Sequence, residues 1–498
     1  MNLSKALFTR LAAAAASLLI VGSIGSMALA QNSTTTAPAA AAAPAAAPAA
    51  VATPAPAAPT AAAETAAFDA KVKASQDRIA KAADWAPNSG DTAWMLASTA
   101  LVLLMTIPGL ALFYGGMVRK KNVIATVAQS FAITAIVTVV WYVIEYSFAF
   151  GTHPDANLNK YFGGFGQFLL KGISPVVTTK SYTIAGAANT IPEYVFMMFQ
   201  MTFAIITPAL ICGAFAERFK FSALVLFNVL WSIFVYGPIA HWVWGGGFLG
   251  SLGVLDFAGG TVVHINAGVA GLVCALVLGK RIGYGKDNMA PNNLVYTMIG
   301  ASLLWVGWFG FNAGSALTSG AQAGAAMAAT QIATAGAALS WMAVEWLISK
   351  KPTMLGMASG AVAGLVAITP ASGFVNPTGA IVIGLVAGAG CYGASVWLKR
   401  LFKYDDSLDA FGVHGIGGLI GALLTGVFAD ASINTLSKAG IGQVLIQAEG
   451  CLATILWSGV MTFVILMVCK FTTGLRVSEE AELEGLDMAL HGEALHEH

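Results

Sequence analysis

A chain of 498 residues in which 57% of side chains are hydrophobic and only 10% charged has too little polar surface to cover a soluble globule of its size. Its net charge of +1 excludes the basic stripe that nucleic-acid binding requires, so no nucleic-acid partner is expected. The apolar residues come in blocks near the ~20 residues of a membrane-crossing helix and lack the alternation of barrel strands; the expected fold class is an all-α membrane protein with the lipid bilayer as its main solvent.

At the start of the chain, Lys5 and Arg10 precede a short apolar run that ends in Ala28-Leu29-Ala30, the small-x-small form of a signal-peptidase site. Residues 1–30 are expected to be a cleaved signal peptide. Residues 31–88 read as a periplasmic spacer, almost wholly Ala, Pro and Thr to about residue 63, a composition that buries no core. A Lys/Asp/Ala stretch from Glu64 to Trp85 has the spacing of a short surface helix. Residues 89–475 form the expected membrane domain. Its apolar runs give eleven spans at 91–116, 123–149, 191–215, 220–240, 257–279, 292–314, 321–348, 354–370, 376–398, 411–430 and 447–472. Residues 476–498 form a tail.

With the mature N-terminus outside, the inner loops hold thirteen Lys and Arg, from Arg119 and Lys120 to Arg400 and Lys403. The outer loops hold four: Lys160, Lys171, Lys180 and Lys438. Lys and Arg near span ends are retained in the cytoplasm, so this bias places the tail there as well, in an inner membrane. The five cysteines, Cys212, Cys274, Cys391, Cys451 and Cys469, lie in or beside apolar blocks without a CxxC pair and read as packing residues. No cofactor or metal is expected.

An internal repeat appears when the fifth and tenth spans are aligned. Asp256 precedes His264 by eight residues and Asp406 precedes His414 by eight; Gly268 and Gly271 follow the first histidine as Gly418 and Gly421 follow the second. Two halves of five helices each are then inverted relative to one another, which places a transport site at their interface near the midplane.

Of seven histidines, His264 and His414 are the two embedded in predicted spans. A polar ring in hydrocarbon is either hydrogen-bonded in the packing or functional. Paired neutral imidazoles would present one donor and one acceptor to a small polar solute, or pass a proton; ligation of a haem is the rival use of such a pair. An aromatic group accompanies them: Phe203 three residues after Gln200, Trp242 and Trp244, and Trp308, Phe309 and Phe311. Aromatic faces hold small cations, and a hydroxyl such as Ser315 would accept a hydrogen bond from ammonium that potassium cannot donate. Trp244 at a span end is equally read as an interface anchor.

Five motifs then carry a resemblance: Pro108 to Asn122 (PGLALFYGGMVRKKN), Gly213 to Arg218 (GAFAER), Asp256 to Gly268 (DFAGGTVVHINAG), Gly307 to Ser315 (GWFGFNAGS) and Asp409 to Gly415 (DAFGVHG). Across residues 91–498 the chain resembles the ammonium transporter (Amt/Mep/Rh) family, and its bacterial branch more than the Rhesus branch. The resemblance implies a non-enzymatic transporter for nitrogen uptake, with eleven helices per subunit, three subunits and one pore in each. It implies Phe203, Trp244 and Ser315 as the external recruitment site for ammonium, Phe203 and Phe311 as a hydrophobic gate, and His264 and His414 as twin pore histidines. Asp256 would support the site, which is compatible with helix capping; Gln200 and Thr369 match further polar positions near the pore. The tail segments Gly474 to Glu480, Glu484 to Asp487 and His491 to Glu493 resemble the part that couples subunits and docks PII-type signal proteins, while composition alone describes a solvated acidic tail. An ammonium sensor or a gas channel of the same fold is the alternative. Departures are the Ala/Pro spacer, the long loop from about 150 to 190, and Glu145, where similar proteins often carry a small residue.

Overall fold

The computed structural model describes residues 88–176 and 181–495. The signal peptide and nearly all of the spacer expected from the sequence lie outside the described residues. Ten helices among the described residues are long and apolar enough to cross a membrane. They are α1 (Ser89–Met117), α2 (Lys120–Phe150), α3 (Glu193–Phe215), α4 (Phe221–Leu252), α5 (Gly260–Leu278), α6 (Leu294–Ala313), α7 (Ala321–Ser349), α9 (Pro377–Phe402), α10 (Phe411–Phe428) and α11 (Ile441–Thr472). The remaining predicted span is α8 (Met354–Ile368), a shorter apolar helix. At 1.5 Å per residue it is about 22 Å long, less than the hydrocarbon thickness, and from Gly360 onward every residue of α8 is buried in protein.

Helix ends differ from the sequence expectation where polar residues extend the helix. α11 begins six residues early, at Ile441, because Gln443 and Gln447 find partners: Gln447 donates to the Leu255 and Ala422 carbonyls at 2.7 and 3.0 Å. α4 runs on to Leu252, interrupted by the glycines that follow Trp244. Between α2 and α3 the long loop carries a two-stranded hairpin, β1 (Pro175–Val176) antiparallel to β2 (Ser181–Tyr182). After α11 a short helix, α12 (Glu479–Glu484), starts at a Ser478 cap.

α5 and α10 are built alike. The Asp256 carboxylate accepts the amides of Gly259, Gly260 and Thr261 at 2.8, 2.6 and 2.8 Å, and Asp406 accepts those of Ala410 and Phe411 at 3.0 and 2.8 Å. Each carboxylate thus satisfies orphan donors at a helix start. Each helix then opens with one widened turn carrying its histidine, the His264 amide reaching back five residues to the Gly259 carbonyl at 3.0 Å. Phe257 beside the first acid donates to the Pro370 carbonyl after α8, and Leu408 beside the second donates to Gly213 of α3, at 3.1 and 2.9 Å. The glycines complete the exchange. A Cβ on Gly268 would lie 2.2 Å from the Gly415 amide nitrogen, and one on Gly418 would lie 3.1 Å from the His264 Cβ. The two helices cross where neither has a side chain, each packing its glycine against the histidine turn of the other.

Gly268→Leu is therefore expected to force α5 and α10 apart. Overpacking of this kind costs about 1–3 kcal/mol or more, and the check is a lowered unfolding midpoint of the purified protein beside an unchanged midpoint for Gly442→Ala, whose surroundings are open.

Candidate functional site

Between the two helices and their neighbours the predicted residues form one column. Phe203 of α3 and Phe311 of α6 lie 4.2 Å apart between ring centroids, with planes 32° apart, and are 1% and 0% exposed. Trp244, at the break in α4, meets Phe203 edge-on at 5.8 Å and 87°. On the other side of the pair, Phe311 lies 6.0 Å from the His264 ring, and His264 lies 5.4 Å from His414 with planes 20° apart. The order is Trp244, Phe203 and Phe311, His264, His414.

Hydrogen bonds fix what each group presents. The Trp244 Nε1 donates to the Asp256 backbone carbonyl at 2.9 Å, which uses its polar edge and leaves the ring face and rim available. Asp256 thus has two tasks, capping α5 with its carboxylate and holding Trp244 with its carbonyl. The Ser315 hydroxyl donates to the Phe311 carbonyl at 2.8 Å, which leaves its oxygen lone pairs as acceptors at a half-buried position. Both His264 ring nitrogens and His414 Nδ1 are buried without a hydrogen-bond partner among the described residues. Unpaired polar atoms in such a place are costly, so the histidine level carries polarity that no described residue satisfies.

Two predicted residues are placed differently from one another. Gln200, one turn before Phe203 on α3, is buried with its Oε1 unpartnered. Thr369 is fully buried, donates to the Leu365 carbonyl at 2.7 Å and accepts Trp308 Nε1 at 2.9 Å. Its hydroxyl anchors a tryptophan. Trp308 in turn lies 5.4 Å from His264 at 23° and forms one wall of the histidine level; the sequence places it among the aromatics without distinguishing it from Phe309. Phe199, 4.9 Å from Phe203, is a further aromatic that the sequence pattern does not single out. Glu145 is not part of the column. It lies in the seam between α2 and α4, fully buried, with both carboxyl oxygens unpartnered.

At the face that carries the basic loops, a buried ion network ties four connections together. Glu217 binds Arg119 at 2.7 Å and Arg281 at 3.3 Å, and Arg281 binds Asp405 at 2.9 Å. Burial pushes the Asp405 carboxyl up, but Arg281 and Arg218 together hold it below its ordinary range. Arg218 donates to the carbonyls of Asp405 and Gly279 at 2.6 and 3.0 Å. Burial also raises Asp406 to about 6, with Asp409 adding to it against Lys399 and the amides of Phe411 and Ala410. The tail lies on the same face: Glu482, paired with Arg476 of the tail at 2.7 Å, accepts the Ile282 amide of the loop after α5 at 2.7 Å, and Asp487 accepts the Ala125 amide at the start of α2 at 2.8 Å. The GAFAER motif and the tail acids mark these positions in the sequence, but not their partners.

Helices packed around a buried aromatic and histidine column, with apolar outer faces, define a multi-pass membrane transport protein. A model of the Ammonium Transporter Family matches residues 93–495. The chain is 53% identical over 411 residues to an ammonium transporter of Aquifex aeolicus, covering 82% of this chain and 93% of the relative. It is 51% identical to one of Bacillus subtilis, covering 81% and 98%. Among solved structures it is similar to Saccharomyces cerevisiae Mep2, with TM-score 0.72 and 34% identity over 79% of this chain and 88% of that one. It is also similar to a protein described as a sensor Amt protein, with TM-score 0.72 and 29% identity over 81% and 98%. The chain belongs to the ammonium transporter family, whose members are transporters and not enzymes.

Asp256→Ala removes the cap of α5 and loosens the support of Trp244. Loss of such a cap costs about 0.5–2 kcal/mol, so the unfolding midpoint should fall, and the tryptophan fluorescence of the folded variant should shift relative to Asp256→Asn, whose amide oxygen still accepts.

Proposed function

We propose that the protein takes ammonium from the periplasm at Trp244, Phe203 and Ser315, separates it from a proton there, and conducts ammonia past the Phe203–Phe311 pair and between His264 and His414. The observation that carries the reading is the unbroken order of the column, from an aromatic face with a free hydroxyl acceptor to two stacked imidazoles with unpartnered nitrogens. A cation is attracted to the ring faces, and Ser315 accepts an N–H that potassium lacks. The aromatic pair beyond is closed to a hydrated ion, and a bare charge between two phenylalanines costs several kcal/mol. Neutral ammonia meets no such cost. Asp256 supports the entrance, Thr369 supports the histidine level through Trp308, and Gln200 lies beside the gate.

The same reading places the chain in the inner membrane with the mature N-terminus periplasmic and the tail cytoplasmic, in agreement with the thirteen-to-four bias of basic residues between the two sets of loops. It assembles as a homotrimer with one pore per subunit. The tail, fastened to the start of α2 and to the loops after α3 and α5, is the docking element for a PII-type signal protein.

Current from proteoliposomes on a solid support, with an internal pH dye, tests the reading after pulses of ammonium and of potassium. Current with ammonium alone identifies selective electrogenic transport; a pH change without current identifies net ammonia conduction; neither signal favours a sensor. His264→Ala is expected to abolish flux or its selectivity at normal membrane abundance, and unchanged flux removes His264 from the path. For Trp244→Leu a higher half-saturating ammonium concentration is expected with little change in maximal flux, measured in the same liposomes. Deletion of residues 476–498 is expected to abolish capture of a PII-type protein; retained capture would move the docking site to the loops.

A further inference from the structure

His241, three residues before Trp244, is fully buried and has both ring nitrogens at carbonyl oxygens: Nδ1 lies 3.0 Å from the Ala149 oxygen of α2, and Nε2 lies 2.7 Å from the Asn159 oxygen of the outer loop. A backbone carbonyl only accepts. A neutral imidazole has one N–H, so one of the two contacts would set a lone pair against an oxygen; both are favourable only when both nitrogens carry hydrogen. The ring is then an imidazolium, and a buried charge needs a counter-charge.

The carboxylates near this end of the bundle can be sorted by what already occupies them. Asp256 is taken by the amides at the start of α5. Glu193 of α3 accepts the Tyr146 hydroxyl and Gln167 Nε2, each at 2.9 Å. In the loop, Asp155 is exposed and accepts the amides of Asn157 and Leu158, while the Lys160 ammonium reaches the Asn157 side chain. Asp91 accepts the Ser319 amide and hydroxyl, Asp430 accepts Asn376 and Ser432, and Glu449 is exposed, whereas buried Glu145 has neither oxygen paired. Its place follows from the helix repeat. A Cβ on Gly237 would touch Glu145 Cγ at 3.7 Å, and Gly237 and Glu145 each stand four residues before the contacting pair His241 and Ala149. The Glu145 side chain therefore leaves α2 one helical turn, about 5.4 Å of rise, before the Ala149 carbonyl that meets the imidazole, and enters the same seam of α2 and α4.

We propose that Glu145 and His241 form a buried carboxylate–imidazolium pair, a proton-binding site separate from the pore histidines that positions the recruitment segment. The proton on His241 closes the second bond to the loop, and Glu145 keeps it there. The loop is in turn joined to the segment that carries Trp244: Trp242 Nε1 donates to the Tyr161 carbonyl at 2.7 Å, and the Gly247 amide donates to the His241 carbonyl at 2.9 Å. Loss of the proton releases one of the two carbonyls and with it the rigid setting of Trp244. His241 and Glu145 are positioning residues for that tryptophan, and the functional part of the inference rests on recruitment at Trp244.

The test is nitrogen-15 magnetic resonance of histidine-labelled full-length protein in bilayers at neutral pH, with His241 assigned through its proximity to carbonyl-labelled Ala149. Two protonated ring nitrogens are expected in the wild type and one in Glu145→Gln. A single protonated nitrogen in the wild type, or two in Glu145→Gln, overturns the pair. In liposomes Glu145→Gln should raise the half-saturating ammonium concentration several-fold and leave maximal flux unchanged, with the rise absent in a Trp244→Leu background. A wild-type dependence in Glu145→Gln overturns the positioning role. The spectra are independent of transport, so a failure of the recruitment reading and a failure of the pair are told apart.

Discussion

The structure depends on satisfying backbone amides at two helix starts that lie inside the membrane domain, where water is scarce and an unpaired amide costs several kcal/mol. Asp256 and Asp406 meet this need by accepting the first amides of α5 and α10. The eight-residue spacing from each acid to its histidine then becomes a distance: cap, widened turn, imidazole. Because the two arrangements are inverted copies whose glycines let each helix rest on the histidine turn of the other, the two rings arrive at one level, 5.4 Å apart. A different cap position on either helix would set its histidine at another height, and no adjustment of side chains would bring the rings back into register.

The two ends of the molecule use polarity in opposite ways. At the basic face, Arg218, Glu217, Arg281 and Asp405 are buried, but each is hydrogen-bonded or ion-paired, so the charges stabilise one arrangement of four connections. In the column the histidine nitrogens have no such partners. At the histidine level the expense of leaving polar atoms unpaired falls where selectivity is proposed to reside.

Much of this was legible in the sequence, for reasons that can be stated residue by residue. The spans follow from apolar length, and the paired histidines stand out because imidazole is rare in hydrocarbon; the repeat is visible because acid, histidine and glycine each have a physical task at a set spacing. The extension of α11 to Ile441 was hidden, since Gln443 and Gln447 look like loop residues until their carbonyl partners on neighbouring elements are known. Thr369 matches a polar position near the pore in the sequence, but that its hydroxyl bridges Leu365 and Trp308 is visible only in the structure. Trp308 and Phe309 are adjacent in sequence, and only the turn of α6 decides that the first faces His264. Contacts of this sort are set by helix register across the bundle, which a linear pattern does not encode.

Under the proposed path the column also constrains the chemistry at its entrance. Phe203 and Phe311 are nearly unexposed and 4.2 Å apart, so nothing passes without ring movement, and movement of two apolar rings opens an apolar gap. Aromatic faces attract a cation from one side but do not replace the several hydrogen bonds that ammonium has in water. On the far side of the gap His264 presents neutral nitrogen atoms instead of a carboxylate, so no fixed negative charge draws the cation onward. The attraction therefore ends where the desolvation cost begins. Under the proposed path that discontinuity is the reason for recruitment and conduction to involve different species: the charged one held at Trp244, the neutral one admitted between the rings.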